Sequence, residues 1–174
     1  DYGNASVFFT REQAVHDRAM SRKAAKDRSA LEERSGYKFA DKAMLERALT
    51  HISALSGGPQ KRADSYQRLE FLGDHVLGLV ISDMLYRAFP KANEGELSRR
   101  LADLVRKETC AEVAKAMDLG PALKLGNSES HAGGRLRSTI LADVCEALVG
   151  GVFIDGGYAA AETLGTSRDL MLDA

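Results

Sequence analysis

The chain has 174 residues, 44% hydrophobic and 28% charged, which suits one compact domain with a real core. Its formal net charge of −1 makes no case for a polyanionic partner; only a local basic patch could supply one. No apolar run reaches membrane-spanning length, and the charged N-terminal stretch lacks the apolar segment of a secretory leader, so no membrane role and a cytoplasmic setting are expected.

Residues 1–29 are polar and charged and are expected to form a solvated N-terminal extension, with Thr10 and Gln13 as a capping-box pattern for a helix there. Ser29 and Glu32 make a second capping box, which opens a short helix ended by Gly36. Asp41 caps the next helix, with Met44, Leu45, Ala48 and Leu49 at helical spacing. Residues 53–64 carry two Gly, one Pro and several polar side chains and predict a loop. From Gln67 to Phe89 the apolar pattern is helical and nearly all-round, which marks a central helix stopped by Pro90. A helix from Asn93 or Glu94 to Arg106 follows, then a short one from Glu108 to about Met117. Residues 122–137 predict irregular structure. Ser138 opens a second strongly apolar helix that Gly156-Gly157 ends, and a last helix begins at Tyr158. Cys110 and Cys145 lie within helical patterns as small buried apolar residues, which fits a reducing compartment. The expected fold is all-α: one compact helical domain over residues 30–174.

The two most apolar helices each carry an acid pair. Glu70 and Asp74 are four residues apart, about 40° apart on one helix face. Asp143 and Glu146 are three apart and also share a face. Burying four carboxylates without compensation is very costly, and like charges in one site raise pKa values. Either the acids face solvent at a cleft, or they bind a cation. Oxygen-only ligands favour a hard ion, Mg²⁺ or Mn²⁺. A di-iron centre would need a His three residues after a Glu, but Gly73 follows Glu70 at that spacing. The pattern therefore points to Mg²⁺-assisted hydrolysis, with a phosphate ester as the expected substrate.

At RLEFLGD (68–74) the chain resembles the signature of bacterial ribonuclease III, commonly written ERLEFLGDS. The likeness continues in ALTHIS (48–53), FPKANEGELSRR (89–100), LVRKETCAEVAKAMDLG (104–120) and RSTILADVCEALVGGVFIDGG (137–157). It spans roughly residues 31–165, in order. The resemblance implies a ribonuclease III endonuclease fold and a Mg²⁺-dependent endoribonuclease for double-stranded RNA, working as a homodimer in rRNA or mRNA processing. Products would carry 5′-phosphate and 3′-hydroxyl ends with a short 3′ overhang. It places Glu70, Asp74, Asp143 and Glu146 at the metal, with Asp74 and Glu146 catalytic. Glu94 and Glu129 match acids near the RNA, and Phe71 matches an aromatic inserted into the partner subunit. Arg135 and Arg137, with Lys91, Arg99, Arg100, Arg106 and Lys107, are expected to track phosphates.

Three departures from the family pattern stand out. Gln67 replaces the signature's first Glu and cannot be an anionic ligand, and His75 stands where Ser is commonest. His75 reads as surface, and His51 as a hydrogen-bonded structural residue. The double-stranded-RNA-binding domain that typical bacterial members carry is not among these 174 residues. Two rival readings remain: an all-α Mg²⁺-dependent nucleotide pyrophosphohydrolase, and a ribonuclease III-like module that binds RNA without cutting it. Intact acids count against the second.

Overall fold

Between Asn4 and Ser35 the sequence has neither Gly nor Pro and is rich in Ala, Arg, Lys and Glu, all strong helix formers. In the computed structural model, which describes residues 4–57 and 59–166, this stretch is one helix, α1 (Asn4–Ser35). The expected extension is thus helical. Thr10 and Ser29 lie inside the helix rather than at caps, and the boundary expected between residues 29 and 30 falls within it. Intrinsic propensity sustains the backbone here although no apolar stripe does. Its last turns dock: Leu31 is fully buried, and Arg34 Nε donates to the Met117 carbonyl at 2.8 Å. Gly36 ends the helix at φ +68°, a left-handed conformation suited to glycine.

Six more helices follow among the described residues: α2 (Lys42–Ala48), α3 (Gln67–Ala88), α4 (Glu94–Val105), α5 (Lys107–Ala116), α6 (Asn127–His131) and α7 (Ser138–Gly165). No strand occurs among those residues, so the all-α expectation holds. Asp41 caps α2 by accepting from Ala43 N at 2.8 Å, and Asn93 with Glu96 forms a reciprocal capping box on α4. The stretches expected to be irregular contain short helical pieces: 3₁₀ turns at Ile52–Ala54, Pro59–Asp64 and Gly134–Leu136, and α6 itself. A single turn needs only local caps, which composition does not reveal. His51 provides one of them, its Nδ1 accepting from Ser53 N at 3.1 Å, which fits the structural role expected for it. Thr50 and Lys124 form an isolated parallel bridge that ties these two connections together, with His51 N donating to Lys124 O at 2.9 Å.

The core is the crossing of α3 and α7, with α5 packed on α7. Leu77, Val80, Ile81 and Leu85 meet Val144, Leu148, Val149 and Val152 in one buried cluster, which Cys110 and Cys145 join. At the crossing the two backbones touch. A Cβ on Gly73 would stand 1.7 Å from the Glu146 carbonyl oxygen, and one on Gly150 would stand 2.4 Å from that of Leu69. Only glycine permits this approach. As the sequence predicts, α7 breaks at Gly157 (φ +78°). Beyond the break Tyr158 turns back, and its hydroxyl donates to Asp83 on α3 at 2.8 Å.

Candidate metal centre

The glycine contact decides where the acids go. Gly73 lies between Glu70 and Asp74, and its neighbour across the crossing is the carbonyl of Glu146 itself. The carboxylate oxygens of Glu70, Asp143 and Glu146 consequently lie within 4.8 Å of one another. Glu146 is buried, 3% exposed, while Glu70 and Asp143 are half-buried. Asp74 stands outside this group. Its side chain is 58% exposed and lies 3.9 Å from His75 Nδ1. Of the four predicted acids, three form a tight cluster, and the fourth lies close enough for its charge to raise the pKa of Glu146.

Lys107, at the start of α5, reaches into the cluster. Its Nζ lies 2.5 Å from Asp143 Oδ1, 3.5 Å from Glu70 Oε1 and 3.9 Å from Glu146 Oε2. Lys107 thus faces carboxylates, where the sequence alone suggests a cation that tracks phosphates. Its proximity to acids 36 and 37 residues away in sequence leaves no local signal.

The electrostatics follow from burial and crowding. Burial pushes the Glu146 carboxyl up to about 7; Lys107 opposes the shift, and Asp74, Glu70 and Asp143 add to it. Burial and the charge of Asp143 likewise raise Glu70. Burial works against the Lys107 charge, but the hydrogen bond to Asp143 and the surrounding carboxylates outweigh it, so the pKa of the ammonium rises. Tyr66 completes the wall of the site. Its phenol is buried, and burial together with Asp143 and Glu70 raises its pKa, so its hydroxyl stays protonated. Tyr66 was missed in the sequence, although Tyr66, Glu70 and Asp74 repeat at four-residue spacing on one helix face. An all-oxygen donor set with one cationic group already seated in it fits a hard divalent cation.

The other expected site residues are more dispersed. Glu129 is partly buried, with Oε1 2.8 Å from Arg137 Nη1; this is an ion pair without hydrogen-bond geometry. Its charge contributes to the raised pKa of Tyr66, which places it on the same side of the molecule. Arg135 is differently occupied. Its Nη1 donates to the carbonyls of Gly120, Pro121 and Leu123 at 2.9, 3.3 and 2.7 Å, which makes it a clamp on the turn after α5. Glu94 opens α4 and accepts from Ser98 Oγ at 2.8 Å, while Asn93 does the capping. Gln67 is exposed on the first turn of α3, outside the cluster. Arg100 lies over the Phe89 ring at 4.2 Å. Phe71 is 72% exposed beside the site and packs against His75, with ring centroids 4.9 Å apart.

Two crossing helices that pool their acids into one oxygen-donor cluster define a class of all-α domains with a candidate cation site. Within that class, the family model for Ribonuclease-III-like proteins matches residues 41–171. The chain belongs to that family. It is similar to ribonuclease 3 of Nitrobacter winogradskyi, 65% identical over 133 residues that cover 76% of this chain and 50% of the relative. Ribonuclease 3 of Rhodopseudomonas palustris is 58% identical over 144 residues, covering 83% and 52%. The chain thus spans about half the length of these curated relatives. A solved nuclease domain of ribonuclease III from Campylobacter jejuni, described for structural flexibility in its region involved in dimer formation, superposes with a TM-score of 0.74 at 35% identity. That match covers 81% of this chain and 94% of the other.

Proposed function

We propose that this chain is a Mg²⁺-dependent endoribonuclease domain that cleaves double-stranded RNA as a homodimer, leaving 5′-phosphate and 3′-hydroxyl ends with short 3′ overhangs. The observation that carries the reading is the three-carboxylate cluster, with oxygens within 4.8 Å, in a chain of the Ribonuclease-III-like family. Glu70, Asp143 and Glu146 would hold the cation, and Asp74 stands beside them at the solvent edge. The bound Mg²⁺ supplies Lewis-acid activation for phosphodiester hydrolysis, and Mn²⁺ can substitute for it.

The chain's own groups do the rest. The apolar walls of α3 and α7 hold the three carboxylates rigidly and exclude water from Glu146. Asp74, solvent-facing beside the cluster, can accept a proton near the scissile phosphate. Arg137, 2.8 Å from Glu129, offers positive charge for the RNA backbone. No helix among the described residues is long and apolar enough to cross a membrane.

A stripe on α3 supports the homodimer. Phe71, His75, Leu79 and Tyr86 fall within about 80° of one face, and all four are exposed. Gly78 on the same helix has open space where a Cβ would stand. An unpartnered apolar stripe adjoining the acids suits a second copy of this chain, with Phe71 as an anchor.

Incubation with long double-stranded RNA, with and without Mg²⁺, tests the reading. The wild type should produce short duplexes only with metal, and Glu146→Ala should produce none. Intact RNA with the wild type, metal and low salt would refute the nuclease assignment for this domain.

A further inference from the structure

We propose that Lys107 is the resident counter-cation of the metal centre: its ammonium holds the three carboxylates together before metal arrives, and the incoming divalent cation must expel it. This inference rests on the reading of Glu70, Asp143 and Glu146 as the metal ligands. The Lys107 ammonium sits at the focus of the cluster, 2.5, 3.5 and 3.9 Å from oxygens of Asp143, Glu70 and Glu146. A Mg²⁺ ion sits about 2.0–2.1 Å from its oxygen ligands, so both cations cannot occupy that focus. The lysine can leave. Its side chain is 56% exposed, it opens α5, and the extended backbone of Arg106 precedes it. Its own helix does not favour it there either, since a helix N-terminus repels positive charge. Among the described residues it is held by the carboxylates, and a doubly charged ion replaces a singly charged one. Metal loading is thus an exchange, and Lys107 sets its midpoint. The expelled ammonium stays tethered at the mouth, where an RNA phosphate arrives.

The test is Mn²⁺ binding to metal-stripped protein, read by titration calorimetry and by the metal-dependent rise in melting temperature. Lys107→Met keeps the aliphatic stem and removes the charge. It should bind Mn²⁺ roughly tenfold more tightly than the wild type, melt lower without metal, and gain more from metal. Lys107→Arg, which keeps the charge, should bind no more tightly than the wild type. Equal or weaker Mn²⁺ binding by Lys107→Met overturns the exchange while leaving the metal site standing. Absence of Mn²⁺ binding in both proteins overturns the exchange and the metal-site reading together, because removing the ammonium did not open a site.

Discussion

Burial pushes the Glu146 carboxyl up to about 7 from an ordinary value of 4.5, so in metal-free protein the folded state holds this proton more tightly than the unfolded chain. The sign follows from proton linkage. The stability this group contributes is fully present below about 4.5 and is lost as pH rises through about 7. Thermal melts in chelator should therefore fall across that window, and Glu146→Gln should remove this component of the fall. Divalent-ion affinity should move the opposite way, rising across the same window as the metal no longer competes with a proton. The same Glu146→Gln substitution should lower the RNA cleavage rate at least about 100-fold, measured in single-turnover assays. Arg135 makes a contrasting case. Its Nη1 serves three carbonyls, so Arg135→Ala should cost roughly 1–3 kcal/mol in denaturant melts while leaving the salt dependence of RNA binding unchanged. Arg137→Ala should reduce that salt slope by about one.

Helices α3 and α7 work as a pair because their backbones touch at Gly73 and Gly150. Gly73→Ala would set a methyl 1.7 Å from the Glu146 carbonyl oxygen, and a backbone atom cannot step aside as a side chain can. The expected cost exceeds about 3 kcal/mol in chemical denaturation, with Mn²⁺ binding lost in whatever folded fraction remains. At this scale much was legible in the sequence. Periodicity located both apolar helices, and acid spacing located Glu70, Asp143 and Glu146 on the faces that meet. Asp74 shares that spacing but stands just outside the tight group, because periodicity gives the angle around a helix and not the depth to which the partner helix covers it. Lys107 was illegible as a site residue, since its place depends on how α5 lies on α7. The role of Arg135 was hidden for the same reason: its acceptors are carbonyls of a turn, which any sequence could supply.

The whole molecule presents two features that composition obscures. One is α1, whose helical run needs no apolar face and so leaves no periodic trace; Leu31 and Arg34 dock its last turns. The other is the exposed stripe of Phe71, Leu79 and Tyr86, an apolar strip that a monomer leaves uncovered. Sedimentation velocity at micromolar concentration should show a dimer for the wild type, and Phe71→Ala combined with Leu79→Asp should sediment as a monomer. The glycine crossing has a consequence for folding as well. Asp143 and Glu146 come from one helix and Glu70 from another, and neither helix alone can assemble the cluster. A chain whose helices have formed but not docked therefore has no cation site, and ion affinity becomes a free energy of docking. Every tenfold increase in free metal above its dissociation constant should stabilise the crossing by about 1.4 kcal/mol. An ion held there would then also act as a clasp on the native topology, and its withdrawal would loosen the fold at the contact where the backbones of α3 and α7 meet.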